Sequence, residues 1–126
     1  MCLTIKWWSI KRIALKDIEC YKVVMIDKQL PKMYRTVYQG TIVEIGKTYT
    51  SDIIRGKLGS YDSPNSVTVA LHSYTDVERA MFEKRFGWQR VVVRCIIPRG
   101  SRYYVGKFAG CKSYASNRLK YVEKVV

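Results

Sequence analysis

Histidine is nearly absent from this sequence, and acidic residues are scarce. His72 is the single histidine, and ten Asp and Glu residues stand against 23 Lys and Arg residues. A zinc site built from Cys and His therefore lacks ligands, and a hydrolase triad lacks an obvious Cys or Ser partner for the histidine. The scattered acids include no D-x-D or E-x-E pair of the kind that metal-assisted or glycosidic chemistry uses. We expect a binding protein rather than an enzyme, although a remaining enzymatic activity stays open.

Long apolar runs and phosphate-loop motifs are also missing. No run reaches the ~20 residues of a membrane-spanning helix, and no signal-peptide core is visible, so we expect no membrane partner. Trp7 and Trp8 beside Lys6 suit either a membrane interface or the cap of a small core, and we favour the core cap. Neither G-x-x-x-x-G-K-[ST] nor G-x-G-x-x-G occurs, and we expect no cofactor.

The cysteines show no paired spacing. Cys2, Cys20, Cys95 and Cys111 are spread along the chain without a C-x-x-C motif. Such a distribution is typical of reduced thiols in a cytoplasmic protein, so we expect all four to be free and the protein to be cytoplasmic.

The chain is long enough for one domain with its own core. It has 126 residues, of which 48% are hydrophobic, and only three prolines, which argues against disorder. We therefore expect a single domain over residues 1–126. The stretch from Ser51 to Ser66 is rich in Gly, Ser and Asp, and we expect it to be a mobile loop.

Apolar periodicity predicts mostly strands. Gly40 and Gly46 stand where hairpin turns or bulges need a positive φ, and Val67, Val69 and Leu71 alternate as a strand face does. The predicted strands cover residues 19–26, 34–38, 41–45, 47–50, 67–71, 90–97, 102–105 and 119–125.

One helix is well marked, at about residues 76–86. Thr75 and Glu78 match a capping box, and Gly87 stands where a helix-ending residue is expected. A second, short helix over Ile10 to Lys16 is the weaker expectation. The predicted fold is α+β, with mostly antiparallel curved sheets.

Positive charge is concentrated in the last 48 residues, where twelve Lys or Arg face only Glu83 and Glu123. A strand periodicity of two puts Arg90 and Arg94 on one face of their strand. The same rule groups three cations of the last strand, Arg118, Lys120 and Lys124. A folded surface this basic usually has a polyanionic partner, such as a nucleotide or a nucleic acid.

Two kinds of polar residue extend this surface. His72 and Ser73 lie between a predicted strand and the capped helix, which is a common place for ligand-binding side chains. Tyr103, Tyr104 and Tyr114 are either exposed and able to stack on bases, or half-buried strand residues.

Several blocks resemble a group of small proteins of gut Bacteroidota, their phages and mobile elements. These blocks are Met1-Cys2-Leu3, Leu71-His72-Ser73-Tyr74, residues 95–106 (CIIPRGSRYYVG) and Tyr114-Ala115-Ser116. The resemblance implies a bacterial host cell or a phage-derived setting, but it does not imply any particular activity.

A second resemblance is at the level of fold. Ser73-Tyr74-Thr75, followed by Ala80-Met81-Phe82 and by residues 91–101, is similar to blocks of the ADP-ribosyltransferase fold, a split barrel or sandwich. The family's first-strand Arg or His would fall on Lys22, and its catalytic Glu strand would fall near residues 117–119, where no Glu occurs. The resemblance therefore implies an NAD-shaped cleft without the transferase chemistry.

We expect a basic cleft for a nucleotide or an NAD-derived phosphate ligand, serving phage or mobile-element counter-defence by sequestering that ligand. The alternatives are a nucleic-acid-binding or nucleoprotein-inhibiting protein, and an ADP-ribosyltransferase-like enzyme that uses Glu123. Whether the protein forms a homo-oligomer stays open. The predicted ligand-binding residues are Lys22, His72, Ser73, Arg90, Arg94, Arg118 and Lys120.

Overall fold

The computed structural model describes residues 3–5, 9–26, 33–37, 40–55, 66–87, 89–108 and 110–125, which form thirteen strands and one helix. The first seven strands are β1 (Leu3–Thr4), β2 (Arg12–Ile13), β3 (Ile18–Ile26), β4 (Met33–Thr36), β5 (Ile42–Glu44), β6 (Thr48–Thr50) and β7 (Ile54–Arg55). The helix α1 (Val77–Lys84) follows β8 (Ser66–Val69) and β9 (Leu71–Tyr74). The last strands are β10 (Arg90–Ile97), β11 (Arg102–Phe108), β12 (Cys111–Ser116) and β13 (Arg118–Lys124).

All the described strands belong to one curled antiparallel sheet. Its main path runs β6-β13-β10-β3-β9-β12-β11-β1-β8-β7. β4 branches from β3 and carries β5, while β2 pairs with β11. The predicted α+β class with mostly antiparallel curved sheet is confirmed.

The centre of the sheet follows the predicted alternation. Val91, Val93 and Cys95 of β10 point into the main core, which also holds Leu119 and Tyr121 of β13. Val92 is fully buried as well, because the helix α1 covers the opposite face of β10 with Ala80. Burial on both faces explains why this strand is apolar at consecutive positions.

The predicted helix is present, but its capping residue is different. The Asp76 carboxylate accepts a hydrogen bond from the Glu78 backbone N–H at 3.0 Å, so Asp76 is the N-cap. The Thr75 hydroxyl instead donates to the Lys112 carbonyl at 3.3 Å, which ties the start of the helix to β12. The capping box at Thr75 was therefore wrong by one residue, since both residue types can cap and tertiary contacts decide between them.

The short helix expected over Ile10 to Lys16 is not formed. Arg12 and Ile13 instead form β2, which pairs with β11. Ala14 then bonds to the neighbouring turn in both directions, donating to Ser101 O and accepting from Gly100 N, each at 2.8 Å. These contacts with a distant segment hold the backbone extended, and periodicity alone does not reveal them.

One strand was not predicted, and two further expectations need correction. Cys111 to Ser116 form β12, which small and polar residues concealed. Val69 is 40% exposed, so the Val67-Val69-Leu71 stripe does not face the core throughout, and Ala70 separates β8 from β9. In the loop predicted for residues 51–66, Ile54 belongs to β7, while residues 56–65 lie outside the described chain.

Other local expectations are confirmed. Gly40 and Gly46 have φ values of 67° and 92°, which L-residues rarely adopt. The thiols of Cys20 and Cys95 are free and buried, Cys111 is buried as well, and Cys2 lies outside the described residues.

Candidate functional site

A cleft of about 290 Å³ opens where the outer edge of β3 changes its neighbour. Tyr21 pairs with Tyr74 of β9, whereas Val24 pairs with Thr36 of β4. Because β4 and β9 diverge, the edge of β3 at Lys22 and Val23 lies between them. The cleft is therefore a consequence of the strand topology, and it reaches side chains from both faces of the sheet.

Five of the polar or charged residues that line the cleft come from four elements. Lys22 belongs to β3, His72 and Ser73 to β9, Arg90 to β10 and Glu83 to the last turn of α1, and all of them line the cleft. Four of these are residues that the sequence predicted to bind a ligand. Glu83 was not predicted, because its position in the last turn of a helix does not show from the sequence that this end of the helix borders a cleft.

Lys22 brings a positive charge into this cleft without an ion-pair partner among the described residues. It pairs across strands with Val93, so its half-buried side chain lies on the same side of the sheet as the main core. Two ion pairs lie within the described ranges, Lys47 with Glu44 and Arg94 with Glu123, and Lys22 belongs to neither of them. Burial lowers the pKa of Lys22 below 10.5, and only the weaker influence of the neighbouring thiols acts in the opposite direction.

His72 is a neutral hydrogen-bonding group rather than a cation. It is 6% exposed, and its Nδ1 lies 3.1 Å from the Ala70 carbonyl oxygen. Burial and, to a lesser extent, the Lys22 charge lower its pKa to about 4, against the opposing effect of the Ala70 and Val67 carbonyls. Since a carbonyl only accepts, Nδ1 carries the proton, and Nε2 is left as an acceptor without a partner among the described residues.

Ser73 presents a second buried polar atom of this kind. It is 3% exposed, and in the part of the chain described here its hydroxyl makes no hydrogen bond. The hydroxyl is close enough to the Cys20 thiol to oppose the effect of burial, which raises the pKa of that thiol to about 11. Buried polar atoms without partners are uncommon in folded proteins, and each costs about 1–3 kcal/mol.

Arg90 reaches the cleft along the end of the helix. Its Nη1 donates to the Glu83 carbonyl at 3.3 Å, where the helix dipole favours a cation. Gly87 makes this path available, because a Cβ at that position would lie 1.9 Å from Arg90 Nε. The conformation of Gly87 is therefore less important than its lack of a side chain.

The remaining walls are mostly apolar and aromatic. Tyr49 and Tyr121 meet edge to face with ring centroids 5.5 Å apart, and Val43 and Leu71 lie beside the same cavity. The Tyr49 hydroxyl also accepts a hydrogen bond from the Glu44 backbone N–H at 2.8 Å. These residues were not predicted, since Tyr49 reaches the cleft through the pairing of β6 with β13 and Val43 through that of β5 with β4.

The predicted cations of β10 and β13 other than Arg90 do not line the cleft. Arg94 Nε contacts Glu123 Oε1 at 3.0 Å, as the register of the two strands allows. Arg118 donates to Ser101 Oγ at 3.2 Å and to the Arg99 carbonyl at 3.1 Å. Lys120 is exposed on β13. Glu123 is thus bound to Arg94 and, like Arg94, does not line the cleft.

The three tyrosines considered for base stacking also differ in their environments. Tyr104 is buried in a second core cluster, so exposure was the wrong alternative for this residue. Tyr103 and Tyr114 are half-buried and pack edge to face, with ring centroids 5.8 Å apart. None of the three lines the cleft.

The volume and the charges limit what this cleft can hold. Its volume is near the lower end of the range of about 300–1,000 Å³ that is usual for small-molecule sites. Lys22, Arg90 and Glu83 leave one net positive charge while His72 is neutral. Among the described residues, no three His, Cys, Asp or Glu side chains cluster as a metal site requires, and no helix is long and apolar enough to cross a membrane.

Comparisons with known proteins add no assignment to this geometry. No family model, no curated protein and no solved structure matches the chain.

Proposed function

We propose that this protein is a non-enzymatic binding protein whose cleft holds a small phosphate-bearing ligand of the nucleotide class. The observation that carries the proposal is the positive charge of Lys22, which lines the cleft and has no ion-pair partner among the described residues. On the adjacent wall, His72 Nε2 and Ser73 Oγ have no hydrogen-bond partner in the described chain.

The energetics of the free cleft favour an anion. Placing a lysine away from water without a partner costs free energy, which is why its pKa falls. A phosphate group beside Lys22 and Arg90 would supply the missing charge and accept hydrogen bonds from both. Any ligand that binds only the folded state then stabilises the protein by mass action.

The neutral His72 narrows the chemical class of the ligand further. An imidazole that is neutral at pH 7 offers Nε2 as an acceptor, so it favours a ligand that carries a hydroxyl or an N–H group near its phosphate. The ribose or the base of a nucleotide provides such a group, and the apolar wall near Tyr49 and Tyr121 suits its rings. Both polar atoms are buried, so a ligand would have to shift the Leu71–Tyr74 wall slightly to reach them.

Binding without catalysis is the version that the residues favour. Glu83 is the acid that borders the cleft, and its backbone carbonyl already holds Arg90. Glu123, the residue that a transferase-like reaction would need, lies elsewhere and is bound to Arg94. Sequestration of a nucleotide or an NAD-derived phosphate ligand, in the bacterial cytoplasm and as a counter-defence, is the purpose that we attach to this proposal.

A nucleic-acid-binding function is the second candidate, and exposed cations outside the cleft favour it. Lys107, Lys112 and Lys120 are exposed on three strands, and no ion pair involves them in the described part of the chain. Contacts with a phosphate backbone would lose affinity steeply with salt, whereas a ligand held inside a cleft would lose less.

The test is thermal denaturation with AMP, ADP-ribose, a single-stranded oligonucleotide and duplex DNA, with adenosine as the neutral control. We expect AMP or ADP-ribose to raise the melting temperature more than adenosine does. The shift should persist at high salt, disappear in Lys22→Met and remain in the matched surface variant Lys120→Met. The second candidate would be favoured if only the polynucleotides raised the melting temperature, if high salt abolished that rise, and if both variants reduced it equally. No shift with any of these probes would contradict both candidates.

A further inference from the structure

A surface on the opposite side of β11 from β12 combines exposed aliphatic side chains with cations. Ile10, Ile13 and Leu15 are 74%, 59% and 86% exposed, which is unusual for three aliphatic residues within one short segment. Ala14, between the last two, is 2% exposed. The segment from Ser9 to Lys16 is therefore anchored through Ala14, while its aliphatic side chains point into solvent.

Cations surround these aliphatic residues. Lys11, Arg12 and Lys16 are exposed in the same segment, and the register places Ile13 opposite Arg102. The bonds of Ala14 with Gly100 and Ser101 bring the exposed Arg99 close to the segment. Asp17 is the acid beside it, and its carboxylate accepts a hydrogen bond from the Arg99 backbone N–H at 2.8 Å. The register places Arg12 opposite Tyr103, on the other face of the strand from Ile13. We name the residues Ile10, Lys11, Ile13, Leu15, Lys16, Arg99 and Arg102 the β2 patch.

We propose that the β2 patch binds the surface of an anionic phospholipid membrane, with Ile13 and Leu15 entering the headgroup region and the cations contacting lipid phosphates. The arrangement matches the requirements of such a surface, which are apolar groups that protrude and cations beside them. This proposal does not depend on the cleft. It also differs from the sequence-based expectation of no membrane partner, which rested on the lack of a spanning run and on the assignment of Trp7 and Trp8 to a core cap.

Other occupants fit the same observations less well. In a symmetric contact between two copies, the cations of one patch would face the cations of the other, which is repulsive. A nucleic acid would engage the cations but would leave Ile13 and Leu15 in water, because aliphatic side chains have no base-stacking surface. An acidic protein could neutralise the charge, yet it would need a groove that accepts the protruding side chains.

Co-sedimentation with vesicles tests the proposal on the full chain. The vesicles consist of phosphatidylcholine alone, or of phosphatidylcholine with one third phosphatidylserine. We expect binding to the anionic vesicles only. The variant Ile13→Thr/Leu15→Ser should bind at least about tenfold more weakly, because a buried leucine side chain contributes ~1.5–3 kcal/mol. The variant Lys11→Glu/Lys16→Glu should lose at least about fivefold per position, since each cation near an anionic surface contributes ~1 kcal/mol.

Matched variants separate the patch from general charge and hydrophobicity. Ile42→Thr/Ile54→Ser removes two other exposed aliphatic side chains, and Lys112→Glu/Lys120→Glu gives the same net charge as the patch variant. Both controls should keep most of the binding. The proposal is overturned if wild-type protein ignores anionic vesicles at low salt, or if Ile13→Thr/Leu15→Ser binds as wild type does. Equal losses in the patch variants and their controls would also overturn it. Binding to duplex DNA without vesicle binding would instead identify the patch as a nucleic-acid surface.

Discussion

Tyr21 and Tyr74 form the single cross-strand pair that joins β3 to β9 in the described part of the chain. Three residues further along β3, Val24 already pairs with Thr36 of β4. The sheet therefore divides between Tyr21 and Val24, and Lys22 lies at the division. This topology provides the opening into which a charged side chain can project, so the candidate site depends on the fold rather than on a loop.

The free protein should become more stable when Lys22 is replaced by Met. The substitution removes a poorly solvated cation and keeps a side chain of similar length, so we expect a gain of about 1 kcal/mol in the free energy of unfolding at neutral pH. The gain should narrow as the pH rises towards 10.5. The pKa of Lys22 is lower in the folded protein than in the unfolded chain, so the folded protein releases this proton first as the pH rises. In that pH range the unfolded chain binds more protons, and a rising pH therefore increases the free energy of unfolding of wild type but not of the variant.

Urea denaturation of both proteins between neutral pH and pH 10.5 measures this difference. A variant that is less stable than wild type at every pH would mean that Lys22 has a favourable structural contact, and would remove the main argument for an anion in the cleft.

Acid should destabilise the protein through His72. The pKa of His72 is about 4 in the folded state and 6.5 in the unfolded chain, so the unfolded chain binds the proton first as the pH falls. The contribution of the neutral imidazole to the free energy of unfolding is therefore complete above pH 6.5 and is lost as the pH falls to 4. The full loss corresponds to about 3 kcal/mol. His72→Gln has no such titration, and His72 is the single histidine. The difference in stability between wild type and His72→Gln should therefore change over this interval, and parallel pH profiles would contradict the buried neutral imidazole.

Gly87→Ala should weaken ligand binding by displacing Arg90. The added Cβ would overlap the Arg90 side chain, which can move away at a small cost in stability. We expect about a tenfold loss of affinity for the nucleotide that stabilises wild type, equal to the loss in Arg90→Met.

Calorimetric titration of the two single variants and of the double variant decides this point. If Arg90 contacts the ligand, the double variant should be no weaker than Arg90→Met alone. Additive losses would show that Gly87 acts on the cleft through something other than Arg90.

Arg94 and Arg118 should contribute to stability rather than to ligand binding. Arg118→Ala removes hydrogen bonds from the Arg99–Ser101 turn and should cost about 1.5–3 kcal/mol. Arg94→Ala breaks one partly exposed ion pair with Glu123 and should cost less than about 1 kcal/mol. Thermal denaturation with and without nucleotide measures both effects. A loss of nucleotide stabilisation in Arg94→Ala, as large as that in Lys22→Met, would move the site to the face of β10 and β13.

The sequence predicted the central strands because their residues are strongly patterned. Val91, Val93 and Cys95 of β10 alternate, and β-branched residues are frequent throughout that strand. By contrast, β12 consists of small and polar residues, and its strand structure depends on neighbours on both sides. The segment around Ala14 was misassigned for the same reason, since hydrogen bonds to a distant turn override its local preference.

The candidate site was predictable only in part. Lys22 interrupts an apolar strand, and His72 is unique, so both stand out from their surroundings. Arg94 and Arg118 share the required periodicity, yet their nearest partners are Glu123 and the Arg99–Ser101 turn, which only the folded structure reveals. Charge periodicity identifies a face of a strand, but it does not show which cations are already neutralised.

Native mass spectrometry of freshly purified protein tests the central claim most directly. We expect a population that carries an additional mass corresponding to a phosphate-bearing metabolite of nucleotide size. This population should be absent from Lys22→Met and present in Lys120→Met, which is prepared in the same way. A spectrum with no added mass for wild type, even after incubation with AMP or ADP-ribose, would contradict the account, and so would the same added mass on Lys22→Met.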